Sequence, residues 1–209
     1  MEKELLQTQI AFFLKKEFNA FEALALEIKK QLGETESQYL PVPTDAPIQI
    51  PRLIINYQTF NIKVFKNRVD LFFQGDYEEE KLEKAMNVLS KILGLPIGRI
   101  GFVKTFFVGE NIEVIKKLLP EKKIGGLNIK EINLRVNVLR KIDEFDCNSI
   151  EKIDLGNISK NDGSTKSGLI VLKDCNTLAE QTLPDNLDIV ALKKLISKLN
   201  SEVGKFILI

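Results

Sequence analysis

Hydrophobic and polar residues alternate near the start of the chain. Ile10, Phe12 and Leu14 interleave with Gln9, Ala11 and Phe13, the period of a half-buried strand. Leu6, Ile10, Phe13 and Leu14 would also share one helical face. The next residues decide between the two. Asn19 with Glu22 three places on reads as a capping box, with Phe18 before the cap. A helix starting at Asn19 leaves 5–15 as a separate strand. Its buried stripe is Phe21, Leu24, Ala25, Ile28 and Leu32, and Gly33 stops it.

Residues 34–51 carry Pro41, Pro43, Pro47 and Pro51, four of the seven prolines. This excludes a helix and predicts an extended connector. Leu40, Val42, Ile48 and Ile50 would be wasted in a free linker, so residues 40–51 should pack along the body. Strands follow with Leu53, Ile55 and Tyr57, then Ile62 and Val64, then Val69, Leu71 and Phe73. Lys66-Asn67 is the turn between the last two, with Asn suited to the left-handed region. Asp76 and Glu79 suggest a second capping box. The helix behind it carries Leu82, Ala85, Met86, Leu89 and Leu93, and ends at Gly94 and Pro96. A strand with Phe102, Phe106 and Val108 comes next, then a short helix at 111–119 ended by Pro120.

Gly125-Gly126 marks a break. Beyond it a strand at 130–141 places Ile132, Leu134, Val136 and Val138 on one face and Asn133, Arg135 and Asn137 on the other. Its alternation slips at Leu139, which suggests a bulge or a switch of face. A turn at Asp143–Asp146 leads back through Ile150, Ile153 and Leu155. Ser159–Ser167 reads as a polar hairpin loop and Leu169–Leu172 as a strand. Asp185 caps a last helix with Ile189, Leu192, Leu195, Ile196 and Leu199.

The order is β-α-β-β-β-α-β-α, then β-β-β-α. It predicts an α+β protein with largely antiparallel sheets, helices on one face and a ferredoxin-like first half. The halves are 1–124, holding the connector, and 127–209; they either stand apart or form one composite domain. The long strand at 130–141 is the expected sheet edge. It should pair with the first half or with a second copy of the chain, as a homodimer.

The 209 residues are 44% hydrophobic and 28% charged, a globular composition. Thirty basic residues against 29 acidic ones leave a net charge of +1, which argues against a bulk-charge nucleic-acid binder. Histidine is absent. That excludes Ser-His-Asp and Cys-His devices and every histidine-containing zinc site. Cys147 and Cys175 lack metal-ligand spacing and are expected as reduced thiols. Neither a signal pattern nor a long apolar run is evident, so no membrane association and a cytoplasmic location are expected.

Candidate chemistry is sparse. Gly163–Gly168 has the composition of a phosphate loop but the wrong order, between strands, and reads as a hairpin tip. Asp143, Glu144 and Asp146 with Asp154 could bind a hard cation, the basis of a metal-dependent hydrolase reading, though a solvated turn accounts for them as well. Arg68 and Asp70 share a strand face, as a surface pair or lining a polar groove with Asn61 and Lys63. With Asn133, Arg135 and Asn137 they form the candidate interaction surface. Lysine pairs at 116–117, 122–123 and 193–194, and phenylalanines at 102 and 106, echo a sheet that displays aromatics to RNA, although core packing explains the rings.

Pro43-Thr44-Asp45-Ala46-Pro47, Pro51-Arg52-Leu53 and Asn67-Arg68 resemble a segment of sporadically distributed bacterial and phage proteins of uncharacterised function. The resemblance implies a bacterial or mobile-element source, and no reaction or site. The expected function is a non-catalytic binding or protein-interaction role without a cofactor. The alternatives are a nucleic-acid-binding sheet and the hydrolase.

Overall fold

A computed structural model describes residues 3–33, 36–40, 42–43, 46–94, 97–109, 133–159, 162–185 and 188–207. The helix expected at 111–119, the Gly125-Gly126 break and the lysine pairs at 116–117 and 122–123 lie outside these residues. Nine strands among them form one antiparallel sheet. They are β1 (Lys3–Leu14), β2 (Glu36–Tyr39), β3 (Leu53–Asn56), β4 (Phe60–Val64), β5 (Arg68–Gln74), β6 (Ile97–Gly109), β7 (Asn133–Ile142), β8 (Phe145–Ser159) and β9 (Thr165–Thr177). The spatial order is β2-β3-β4-β5-β1-β6-β9-β8-β7. The helices are α1 (Phe21–Leu32), α2 (Glu79–Leu93) and α3 (Ile189–Val203).

The strand alternation was legible. Ile10 and Phe12 of β1, Leu53 and Ile55 of β3, Phe60, Ile62 and Val64 of β4, and Val69, Leu71 and Phe73 of β5 all enter one buried cluster. The same cluster takes Leu24, Ala25 and Ile28 of α1, Leu82, Met86 and Leu89 of α2, and Leu192, Leu195, Ile196 and Leu199 of α3. Positions of the other parity, such as Gln9, Ala11, Phe13, Arg68, Asp70 and Phe72, form the outer face.

The expected helix caps did not form. The α1 cap position is Ala20, without a side-chain bond. Residues before it are tied elsewhere, since Leu14 N donates to Asn67 O and Phe18 N to Lys66 O. This delays the helix and strands Asn19 outside the first turn. Glu78, also without a side-chain bond, caps α2. Asp76 instead pairs with Lys104 at 2.9 Å. Asp188, not Asp185, caps α3, accepting from Ala191 N at 2.7 Å; Asp185 pairs with Lys15. Gly33 and Gly94 do stop their helices, both at positive φ.

Other details differ from expectation. The Lys66-Asn67 turn is present, closed by Phe65 N on Arg68 O. It does not use the left-handed region, where among the described non-glycine residues only Asp143 sits. Strand β7 pairs with β8 in unbroken register from Asn133 to Ile142, so Leu139 marks no bulge. It stands 65% exposed on the outer face. β7 is a terminal strand, as expected, but the halves join through β6 and β9, from Gly101↔Asn176 to Gly109↔Gly168. Gly168 is required there: a Cβ would lie 2.5 Å from Val108 O and 2.6 Å from Phe107 Cζ.

A buried polar row crosses that seam. Thr8, Lys104, Lys173 and Glu151 are neighbours in register on β1, β6, β9 and β8, and all are buried. Lys173 Nζ lies 2.8 Å from Glu151 Oε2, both groups inaccessible to solvent. The same carboxylate oxygen accepts Ile207 N at 2.6 Å. Beyond the row a second cluster gathers Val108, Ile153, Leu169 and Val171.

The proline segment is partly a strand, β2, paired with β3. Beyond it, Arg52 does the pinning. Its guanidinium donates to Pro43 O at 3.3 Å and Ala46 O at 3.0 Å, while Leu40 N donates to Arg52 O. Leu40 and Val42 are half-buried, whereas Ile48 and Ile50 are exposed. The isoleucines are therefore not the anchor.

Two variants test these ties. Arg52→Ala removes charged hydrogen bonds that contribute about 1.5–3 kcal/mol; limited proteolysis should cut residues 40–51 several-fold faster than in the parent, with the sheet intact. Lys173→Met takes the ammonium away from the buried Glu151 carboxylate and should lower stability by about 3–5 kcal/mol in urea unfolding. Lys173→Met with Glu151→Leu should recover most of that loss, because an apolar pair replaces a desolvated ionic one.

Candidate functional site

The outer face is where the candidate residues gather. Each lies there because its strand neighbours face the core. In β5, Val69, Leu71 and Phe73 point inward, so Arg68, Asp70 and Phe72 point out. In β1, Ile10 and Phe12 do the same for Gln9, Ala11 and Phe13.

Arg68 and Asp70 form an ion pair at 3.0 Å, but not at the surface as expected. Asp70 is only 1% exposed. Lys63 of β4 and Ala11 of β1 flank it in register. Burial pushes its carboxyl up to about 6, against the pull of Arg68, Gln9 and Lys63. The groove partnership with Lys63 is therefore present, and Asn61 stands one row away beside Phe72.

Asn133, Arg135 and Asn137 are exposed on the same face of β7. Four strands separate β7 from β5, which puts the two groups about 24 Å apart. They are not one cluster. A line of charges runs between them. Burial raises the Asp174 carboxyl of β9, while Asn176, Arg99 and Arg135 draw it back. Arg99 in turn lies over the Phe13 ring, 3.9 Å from its centre, and Arg68 approaches that ring at 5.6 Å.

Phe13, Phe72, Arg99 and Asp174 were not singled out from the sequence. The signal was available in the alternation of β1 and β5, which put Phe13 and Phe72 out of phase with the core. The phenylalanines that were singled out serve packing: Phe102 enters the first cluster and Phe106 the second.

The acidic group does not converge. Asp143 pairs with Lys198 and Asp154 with Lys152. Asp146 and Asp154 stand eight residues apart on β8, about 27 Å. Among the described residues no three acidic or cysteine side chains could share a metal ion. Gly163–Gly168 leads from the β8–β9 connection into β9, with no helix after it. Lys193 pairs with Glu83 of α2.

The two cysteines are brought together. Cys147 and Cys175 are free, buried and diagonal on β8 and β9, where Cys147 faces Thr177 and Ser149 faces Cys175. The hydrogen bond that the Cys175 thiol donates to Cys147, and then burial, push the Cys175 thiol up.

No protein-family model matches the chain, and no curated protein matches it. Among the described residues no helix is long and apolar enough to cross a membrane.

Asp70 supplies a pH test. Its folded-state carboxyl titrates near 6 and its unfolded one near 4, so in that window the folded chain holds the extra proton and stability falls as pH rises. Asp70→Asn removes this dependence. From pH 4 to pH 7 the stability difference between variant and parent should move in the variant's favour by up to about 3 kcal/mol, read by urea unfolding. An unchanged difference would show that folding does not shift the Asp70 carboxyl.

Proposed function

We propose that the chain is a non-catalytic, cytoplasmic interaction module that works by strand addition at the free edge of β7, with a second copy of itself as the first partner. Its build on this reading is α+β, with helices on one face and a ferredoxin-like first half. The order β4-β5-β1-β6, with α1 following β1 and α2 joining β5 to β6, supports that half. β2 and β3 extend it at the far edge.

One observation carries the functional reading. β7 is ten residues long, without proline, and among the described strands it is paired on one side alone. Such an edge presents a row of N–H and C=O groups that invites another strand. The opposite edge, β2, has four residues.

The sequence of β7 also suits a two-fold pairing. Centred on Asn137, an antiparallel copy sets Arg135 opposite Leu139, Asn133 opposite Lys141 and Val136 opposite Val138. No like charges then face each other directly. Centring on Val138 would set Arg135 against Lys141.

Light scattering tests both the state and the register. The parent should be a dimer. Leu139→Lys puts a like charge opposite Arg135 and should shift the chain toward monomer, while Leu139→Glu should keep or strengthen the dimer. Leu139 is exposed, so neither change should disturb the fold. A dimer that survives both Leu139→Lys and Val136→Pro places the interface elsewhere.

A further inference from the structure

We propose that the outer face around Phe13 and Phe72 binds a short stretch of single-stranded nucleic acid. This site is separate from the β7 edge and does not depend on it.

Two rings stand on this face outside both buried clusters, and both are half-buried. Arg68 of β5 and Arg99 of β6 flank Phe13 in register. Phe72 has the Lys63 ammonium 4.8 Å from its centre and Asn61 beside it. Phe72 faces Gln9, four residues before Phe13, so the rings lie about 14 Å apart. That separation suits two bases on two platforms better than one small ring.

The polar atoms around the rings want partners. Among the described residues, the buried side-chain atoms without a hydrogen bond include Asn61 Oδ1 and Arg99 Nε, both on this patch. Arg68 Nε and Asp70 Oδ1 satisfy each other in their ion pair. Unsatisfied buried atoms are uncommon in folded chains and call for an explanation. Here they mark a donor beside one ring and an acceptor beside the other that the fold itself leaves unsatisfied.

The charges fit as well. Lys63, Arg68 and Arg99 outnumber the two carboxylates of this face near them, Asp70 and Asp174, and neither Lys63 nor Arg99 has a carboxylate within ion-pair distance among the described residues. An acidic peptide would use these cations but not the rings. Bases use both, stacking on phenyl and guanidinium planes alike.

The test is fluorescence anisotropy of labelled oligo(dT) and oligo(rU) with the whole chain. Three cations predict a log–log salt slope of about −2, hence roughly 15-fold weaker binding at 200 mM than at 50 mM salt. Phe13→Leu and Phe72→Leu keep the apolar bulk but remove the planes, and each should weaken binding at least about fivefold. Arg99→Gln should weaken it and reduce the slope by about 0.7. Lys30→Gln, exposed on α1 and outside the patch, should change nothing. Circular dichroism melts confirm that each variant is folded. The proposal fails if the parent does not bind at low salt. It fails equally if folded leucine variants bind like the parent, or if poly-glutamate binds as tightly as the oligonucleotides.

Discussion

Two lysines face each other across the seam that makes one sheet of two halves. Lys104 on β6 and Lys173 on β9 are direct neighbours in register, and both are buried. Like charges so placed repel. Each is matched from its own side: Lys104 by Asp76 before α2, and Lys173 by Glu151 on β8. The seam therefore closes only when the β5–α2 connection and β8 are both in place. Ile207 donates its N–H to the same Glu151 carboxylate, and the neighbouring Phe206 ring joins the second apolar cluster, with the Lys3 ammonium 3.3 Å from its centre. The polar row separates the two clusters while tying the chain's end to its first strand. A row of this kind does not add stability over an apolar equivalent. It specifies a register, because any slip along the seam would leave a buried charge unmatched.

That register decides what the outer face can be. β1 is the middle strand and is paired on both sides, so its outward residues cannot escape their neighbours. Ala11 sits between Asp70 and Gly101, and an added Cβ at Gly101 would meet the Phe13 ring in ordinary contact at 3.7 Å. Small residues in one row let the large ring of the next lean over them. Phe107 leans likewise over Gly168, and is buried by doing so. Phe13 and Phe72 remain half-buried beside unpaired polar atoms, which distinguishes them from rings that only fill space.

The parts of the fold governed by local periodicity were readable in the chain. The inward stripes of α1, α2 and α3 and the alternation of β3, β4 and β5 follow from the spacing of apolar residues alone. The caps were not readable, because a carboxylate near a helix start has competitors distant in sequence. Asp76 goes to Lys104, and Asp185 to Lys15. The β6–β9 pairing, the meeting of Cys147 with Cys175 and the burial of Asp70 have the same origin in long-range register. Of the candidate surface, Arg68 and Asp70 were found together because they share one strand. Their separation from Asn133, Arg135 and Asn137 depends on four intervening strands, whose order no local pattern encodes.

Net charge illustrates the limit of averages. A balance of +1 over the whole chain argues against a bulk electrostatic attraction for polyanions, and that argument stands. It says nothing about a patch a few strands wide, since in salt a field is felt over only about 10 Å. Three of the five arginines, Arg68, Arg99 and Arg135, stand on the outer face, while many of the acids are spent elsewhere. Glu27, Glu78, Glu80 and Glu83 pair with lysines of the helices. Sorting the charges this way leaves the helical surface locally neutral and the sheet's outer face carrying guanidinium groups. A chain with no net charge to speak of can thus present two different surfaces, and only the register of its strands determines which is which.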